Sequence, residues 1–257
     1  MGIFLCFRLY GPLVAWGDVA VGERRPVLPS PSKSGVLGLV AAALRIKRDD
    51  PDALAALGSQ YGFASRVDLP GNLMMDFHTA QVASGSAVRK ARKRGLVIVS
   101  RGEELSIPPH ELSTSLTQRF YRSDAAAVAC LWSLGPEARW KLEQLQAALR
   151  RPGFVLFLGR KSCPLAVPTS PILVTANNPV AALETVRFDI DSFLAPLLSQ
   201  APKVKPRFYW EGDWPDLVPQ ETVHRRDRVQ SRARWQFADR VEHVSTGSRG
   251  AHVPEQG

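Results

Sequence analysis

The sequence predicts an α+β fold built on a ferredoxin-like βαββαβ unit, a four-stranded antiparallel sheet with both helices on one face. Three observations carry that prediction. The hydrophobic patterns run strand, helix, strand, strand, helix, strand along the chain. With 257 residues and 45% hydrophobic content, there is enough apolar material for one sizeable core. The pattern is broken once, by a basic stretch at about 83–117, and gives way after residue 200 to Pro-rich and then strand-like text. We therefore expect a ferredoxin-like domain over 1–200 carrying an inserted hairpin-like excursion, a small C-terminal β region over 201–245 packed on it, and a disordered polar tail over 246–257.

Ile3, Leu5, Phe7 and Leu9 alternate with Phe4, Cys6 and Arg8, the period of an inner strand. A long loop follows with Trp16, Arg24, Arg25, Ser30, Ser32 and Lys33. These are donors, cations and one stacking surface, the groups that hold a phosphodiester chain. Ser30 or Ser32 can cap a helix whose stripe is Val36, Leu37, Val40, Ala41 and Leu44. Gly35 and Gly38 each cost this helix about 1 kcal/mol relative to Ala, which suits close packing on the sheet or close approach of an RNA backbone. Asp50-Pro51 opens a second helix reaching about Tyr61. Phe63–Leu69 and Leu73–Val82 read as strands.

In the excursion, Arg89, Lys90, Arg92, Lys93 and Arg94 fall within six residues, with no acid before Glu103. That is a polyanion-binding limb or a solvated loop. Phe120–Leu134 is a strand whose Ala125, Ala127 and Ala129 leave room for a close neighbour, and Pro136–Arg150 is an amphipathic helix with Leu142, Leu145 and Leu149 at core spacing. The apolar run after Pro152 stops at Gly159 and turns into Arg160, Lys161 and Ser162. Ile172–Thr175 is the last strand of the ferredoxin-like domain, and Asn178-Pro179 opens a short helix. Phe208-Tyr209-Trp210 and Trp235-Gln236-Phe237 are expected to anchor the C-terminal element.

A formal charge of +9 and a pI near 9.9 point to a polyanionic partner, nucleic acid first, because neutralising phosphates releases condensed counterions. No apolar run approaches the roughly 20 residues needed to span a bilayer, and the N-terminal one is too short for a secretory signal, so a cytoplasmic protein without membrane contact is expected. Cys6, Cys130 and Cys163 are odd in number and lack a CxxC, and the five histidines lack ligand spacing; reduced thiols, no metal and no cofactor are expected. Nucleotide-binding, nucleophile-elbow and metalloprotease motifs are absent. One catalytic alternative stands: a metal-independent ribonuclease using His78 of Asp76-Phe77-His78-Thr79, with Tyr10 or Tyr121 as acid and Lys33 or Lys161 as cation. The simpler reading of His78 is a hydrogen-bonded structural residue.

Five blocks in order, LYGPLVAWGDVAVGERRP with PSKSGVLGLVAAALRIKRDD, DFHTAQ, QRFYRSDAAAVACLW and FLGRKSCPL, resemble the fifth family of CRISPR-associated proteins in subtype I-E, within the RAMP superfamily of RRM-like folds. The resemblance covers roughly residues 2–241. It implies a non-catalytic subunit of the Cascade antiviral complex that holds the 5′ handle of the crRNA between palm and thumb. It also implies contacts with the seventh-family backbone subunit and the large subunit, and with target DNA only through the complex. The cutting of precursor RNA falls to another subunit. On the matching positions, Trp16 and Gly17 take the tryptophan-glycine pair after the first strand, and Ser32, Lys33 and Ser34 the serine-basic-serine helix opening. His78 takes the histidine of the aspartate-aromatic-histidine-threonine block. Gly159, Arg160, Lys161 and Ser162 take a loop that is longer and richer in glycine in related RNA-processing proteins. Arg24, Arg25, Lys33, Arg160 and Lys161 are thus expected along the phosphates, with the cations from Arg89 to Arg94 closing over them.

Overall fold

The computed structural model describes residues 1–188, 205–231, 234 and 236–247. The elements are, in order, β1 (Gly2–Val14), β2 (Arg24–Arg25), α1 (Lys33–Ala43), α2 (Pro51–Gln60), β3 (Tyr61–Leu69), β4 (Asn72–Ala83), α3 (Gly85–Lys93), α4 (Arg101–Leu105) and β5 (Leu112–Ser133). There follow α5 (Leu142–Arg150), β6 (Ile172–Ala176), α6 (Pro179–Thr185), β7 (Arg207–Trp210), β8 (Glu221–Ser231) and β9 (Gln236–Thr246). All nine strands among the described residues join one sheet in the order β6-β1-β5-β3-β7-β9-β8, with β2 and β4 both attached to the outer half of β5. Every pairing is antiparallel except that of β2 with β5.

Both faces of the central strands are covered, as their unbroken apolar sequences require. Leu5, Phe7 and Leu9 of β1, Phe63 of β3 and Leu131 of β5 pack under α1, α2 and α5. Phe4, Cys6, Ala64 and Cys130 point the other way, against α6 and the aromatic residues Phe208 and Trp210 of β7. Each large side chain removed from water in this way stabilises the fold by about 1.5–3 kcal/mol. The helix starts are set locally: the Ser32 hydroxyl accepts from Gly35 N at 3.2 Å, the Asp50 carboxylate from Ala53 N at 3.0 Å, and Asn178 Oδ1 from Ala181 N at 2.7 Å.

Several expectations change. β5 begins at Leu112 rather than Phe120, because LSTSLTQ pairs residue for residue with β4; a hairpin of that kind has too little buried surface to show an apolar alternation. The excursion is helical at its tip, where Ala87 and Ala91 of α3 close on Ile107. The fifth helix starts at Leu142, not Pro136. The C-terminal strands are not a separate element laid on the palm. They lengthen its sheet, with Trp210 opposite Ala64 and Val244 opposite Tyr209. Trp235 and the tail from 248 lie outside the described residues. Cys6, Cys130 and Cys163 are buried free thiols. No helix among the described residues is long and apolar enough to cross a membrane.

Candidate nucleic-acid interface

The basic turn after Gly159 is built against the end of β1. Leu158 N donates to Cys163 O at 2.7 Å, Cys163 N to Arg160 O at 2.9 Å, and Ala15 N to Leu158 O at 2.9 Å. Gly159 has φ +89°, and a Cβ there would lie 1.9 Å from Ala15 O, so only glycine fits. This contact carries Arg160 to the junction of β2 and β5. Its guanidinium donates to Phe120 O at 3.2 Å and Arg25 O at 3.4 Å, and lies 4.6 Å from the Tyr121 ring centroid. Arg24 sits over Phe120 at 5.4 Å. Arg25 pairs with Arg119 in the β2–β5 register, and Arg119, Lys161 and Ser162 are exposed. Arg24, Arg25, Arg119, Arg160 and Lys161 therefore converge from three distant segments on one patch. The sequence reading missed Arg119; its signal was the alternation of cations with aromatics in QRFYR.

Lys33, expected among the phosphate ligands, is turned inward. Its Nζ lies 2.6 Å from Glu211 Oε1, its side chain is 8% exposed, and its backbone N–H donates to Asp227 at 2.7 Å. Around it Arg240 pairs with Asp227 at 2.9 Å and with Glu242 at 2.8 Å, Arg225 pairs with Glu242 at 2.9 Å, and Glu211 also accepts from Phe63 N at 3.0 Å. The network ties α1 and β3 to the C-terminal strands. Burial depresses the Lys33 ammonium below its ordinary 10.5, and the Glu211 contact offsets only part of this. Hydrogen bonds and charge from Asp227 and Glu242 outweigh burial at Arg240 and raise it.

A pH dependence follows for Lys33. As its folded value lies below 10.5, the unfolded chain binds more protons in the interval between the two, and stability attributable to Lys33 rises with pH there. The buried Tyr10, Tyr61 and Tyr209, whose pKa values burial raises, act oppositely above 10.0. Comparison with Lys33→Met cancels them. In urea denaturation, the stability of the unsubstituted protein minus that of Lys33→Met should increase as pH approaches 10.5; a flat difference would place the ammonium in solvent.

Trp16 and Ser32 are also internal. The Trp16 side chain is buried, and a Cβ on Gly35 would meet both Ser32 Oγ at 2.9 Å and Trp16 Cε3 at 3.2 Å. That is the structural reason for this helical glycine. Ser34 is half-buried. In the thumb, Arg89, Lys90, Arg92 and Lys93 are exposed on α3, while Arg94 pairs with Glu111 at 3.1 Å. The base of α3 lies at the far end of the β4–β5 hairpin from the β2–β5 patch. Seven residues of hairpin separate the Asp76–Arg119 pair from Ala83–Leu112, about 23 Å at strand rise.

His78 contacts the Asp76 carboxylate and lies opposite Thr117. Tyr121 is opposite Met74, four residues along the same strand face and so about 13 Å away. Lys33 is committed to Glu211, and Tyr10 is buried beside Val167. Neither Tyr121 nor Lys33 therefore stands beside His78. No cluster of metal-ligating side chains occurs among the described residues.

The family model described as CRISPR-associated protein (Cas_Cas5) matches residues 4–241. The Escherichia coli K12 protein named CRISPR system Cascade subunit CasD is 35% identical over 183 residues, covering 71% of this chain and 76% of that protein. A chain of a solved CRISPR RNA-guided surveillance complex superposes with a TM-score of 0.63 at 25% identity, covering 96% of this chain and 91% of the other. A crystal structure of a Cas protein gives 0.55 at 25% identity, with 95% and 94% covered.

Proposed function

The chain belongs to the Cas5 family of CRISPR-associated proteins, and from that premise we propose that it is a crRNA-binding subunit of a type I-E Cascade complex in antiviral defence. It holds the repeat-derived 5′ handle without cutting it. The observation that carries this reading is the convergence of Arg24, Arg25, Arg119, Arg160 and Lys161 on one patch in a family of that description. The single strand runs from this patch along the β4–β5 hairpin to the cations of α3, its phosphates giving affinity and its unstacked bases specificity. A ferredoxin-like palm is supported by the antiparallel order β6-β1-β5-β3, with α1 and α2 between β1 and β3 and α5 between β5 and β6. The seventh-family backbone subunit and the large subunit are its protein partners, and target DNA is met through them.

The test is incubation of the protein with end-labelled repeat RNA in EDTA, read on native and denaturing gels. A shifted, intact RNA is expected. Site-specific cleavage abolished by His78→Ala would overturn the assignment and make the chain a processing nuclease.

A further inference from the structure

The sheet ends on one side at β6, which among the described residues pairs with β1 alone. Its sequence, ILVTA, holds no charge and no proline, whereas β8 at the other end of the sheet carries Glu221, Arg225, Arg226, Asp227 and Arg228. Charges and prolines keep an exposed edge from pairing with another chain, so β6 is left unguarded. Ile172 and Val174 pack toward α6 and Leu173 toward the opposite face, yet all three are only half-buried, since an edge strand lacks neighbours on its outer side. A groove of about 780 Å³ continues this edge. It lies between the end of α5 and the segment 164–171, which follows β1 beyond β6: Arg8 N donates to Thr169 O at 2.8 Å and Ala166 N to Tyr10 O at 3.0 Å. Leu149, Leu156, Val167 and Ile172 line it, Ile172 being the first residue of β6. Its walls are tied together, for Thr169 Oγ1 donates to Leu149 O at 3.1 Å and Gln146 Nε2 to Pro171 O at 3.0 Å. Val155, also in the lining, is 83% exposed. Among the described residues Arg150 is the one charged group of the lining; it is exposed and reaches Pro171 O only at 3.5 Å.

A free sheet edge running into an apolar groove is the arrangement that takes an extended peptide as an added strand, with main-chain hydrogen bonds giving affinity and the groove selecting a side chain. We propose that β6 and this groove dock an extended segment of another protein, which pairs with β6, places one apolar side chain in the groove and sets a carboxylate against Arg150. Charge complementarity calls for the acid, because Arg150 meets none in the lining. RNA suits the groove poorly: a lone cation holds a single phosphate, and no aromatic ring lines it to take a base. The groove shares no residue with the palm patch or the thumb. The proposal rests on the reading of the chain as a subunit of a larger assembly, and it gives that assembly one of its joints.

The test uses the complex assembled from this chain, its partner subunits and the crRNA. A benzophenone amino acid in place of Val155, irradiated in that complex and mapped by peptide mass spectrometry, is expected to crosslink to a protein segment of alternating apolar residues that includes an acid. The amides of residues 172–176 should exchange with deuterium roughly tenfold more slowly in the complex than in the free chain. Arg150→Glu and Val155→Glu change exposed side chains. Each should weaken assembly roughly tenfold, with the thermal midpoint and the RNA affinity of the chain alone unchanged. Crosslinks to RNA, or to a second copy of this chain, would overturn the proposal and give the groove to that occupant. So would a complex that forms normally with both variants and shows unaltered exchange at 172–176; the RNA-holding function would then stand without this joint. A chain that neither joins partner subunits nor binds RNA would overturn both.

Discussion

Replacing Arg240 by Met should destabilise the fold by roughly 3–5 kcal/mol, more than any single surface substitution. Its side chain is 6% exposed and pairs with Asp227 through two nitrogens, at 2.9 and 3.0 Å, and with Glu242 at 2.8 Å. Without it, three carboxylates, Asp227, Glu242 and Glu211, share only Lys33 and Arg225. Buried charge left without its partner costs several kcal/mol, even where the intact pair adds little relative to an apolar replacement. Urea denaturation at neutral pH should show the loss as a lower midpoint with an unchanged slope. Arg240→Lys should fall in between, because an ammonium keeps the charge but cannot make the forked contact. A loss below about 1 kcal/mol, the range of solvated surface pairs, would show that water reaches the network.

The same residues explain what the sequence could and could not disclose. Legible features are those decided within a few residues: the alternation in β1, the capping residues Ser32, Asp50 and Asn178, and the turn at Gly159. The inward direction of Lys33 is set by Glu211, 178 positions away, and by Asp227 on β8, beyond the reach of a local pattern. By local pattern it is a cation at a helix start, and nothing near it says that it faces inward. Trp16 was read as a stacking surface for the same reason, since only the fold brings it onto Gly35. In α3, two alanines are the whole buried face, and five cations in six residues conceal them. The merging of β7 with β3 is a long-range pairing that composition does not encode. Lys161 and Arg92, cations whose surroundings are local and polar, lie exposed on the surface.

Those surroundings lead to the second large effect, on RNA affinity. Neutralising Arg24, Arg119 and Lys161 together with Gln should flatten the dependence of log K on log salt by about 2, at about 0.7 per phosphate contact on a single strand. Affinity near physiological salt should fall roughly 10- to 100-fold. The thumb set, Arg89, Lys90 and Lys93, should give a similar change. Since about 23 Å of hairpin separates the two sets, the losses should add. Lys33→Met is the discriminating control: a buried cation paired with Glu211 releases no counterion, so it should leave the slope untouched even where it lowers stability. Fluorescence anisotropy with a repeat-derived RNA across a salt series reads all three. If Lys33→Met flattens the slope as much as the palm set does, the ammonium turns outward in the RNA complex and the buried network must open on binding. If neither surface set changes the slope, the phosphates lie elsewhere on the chain, and the palm patch is not the interface.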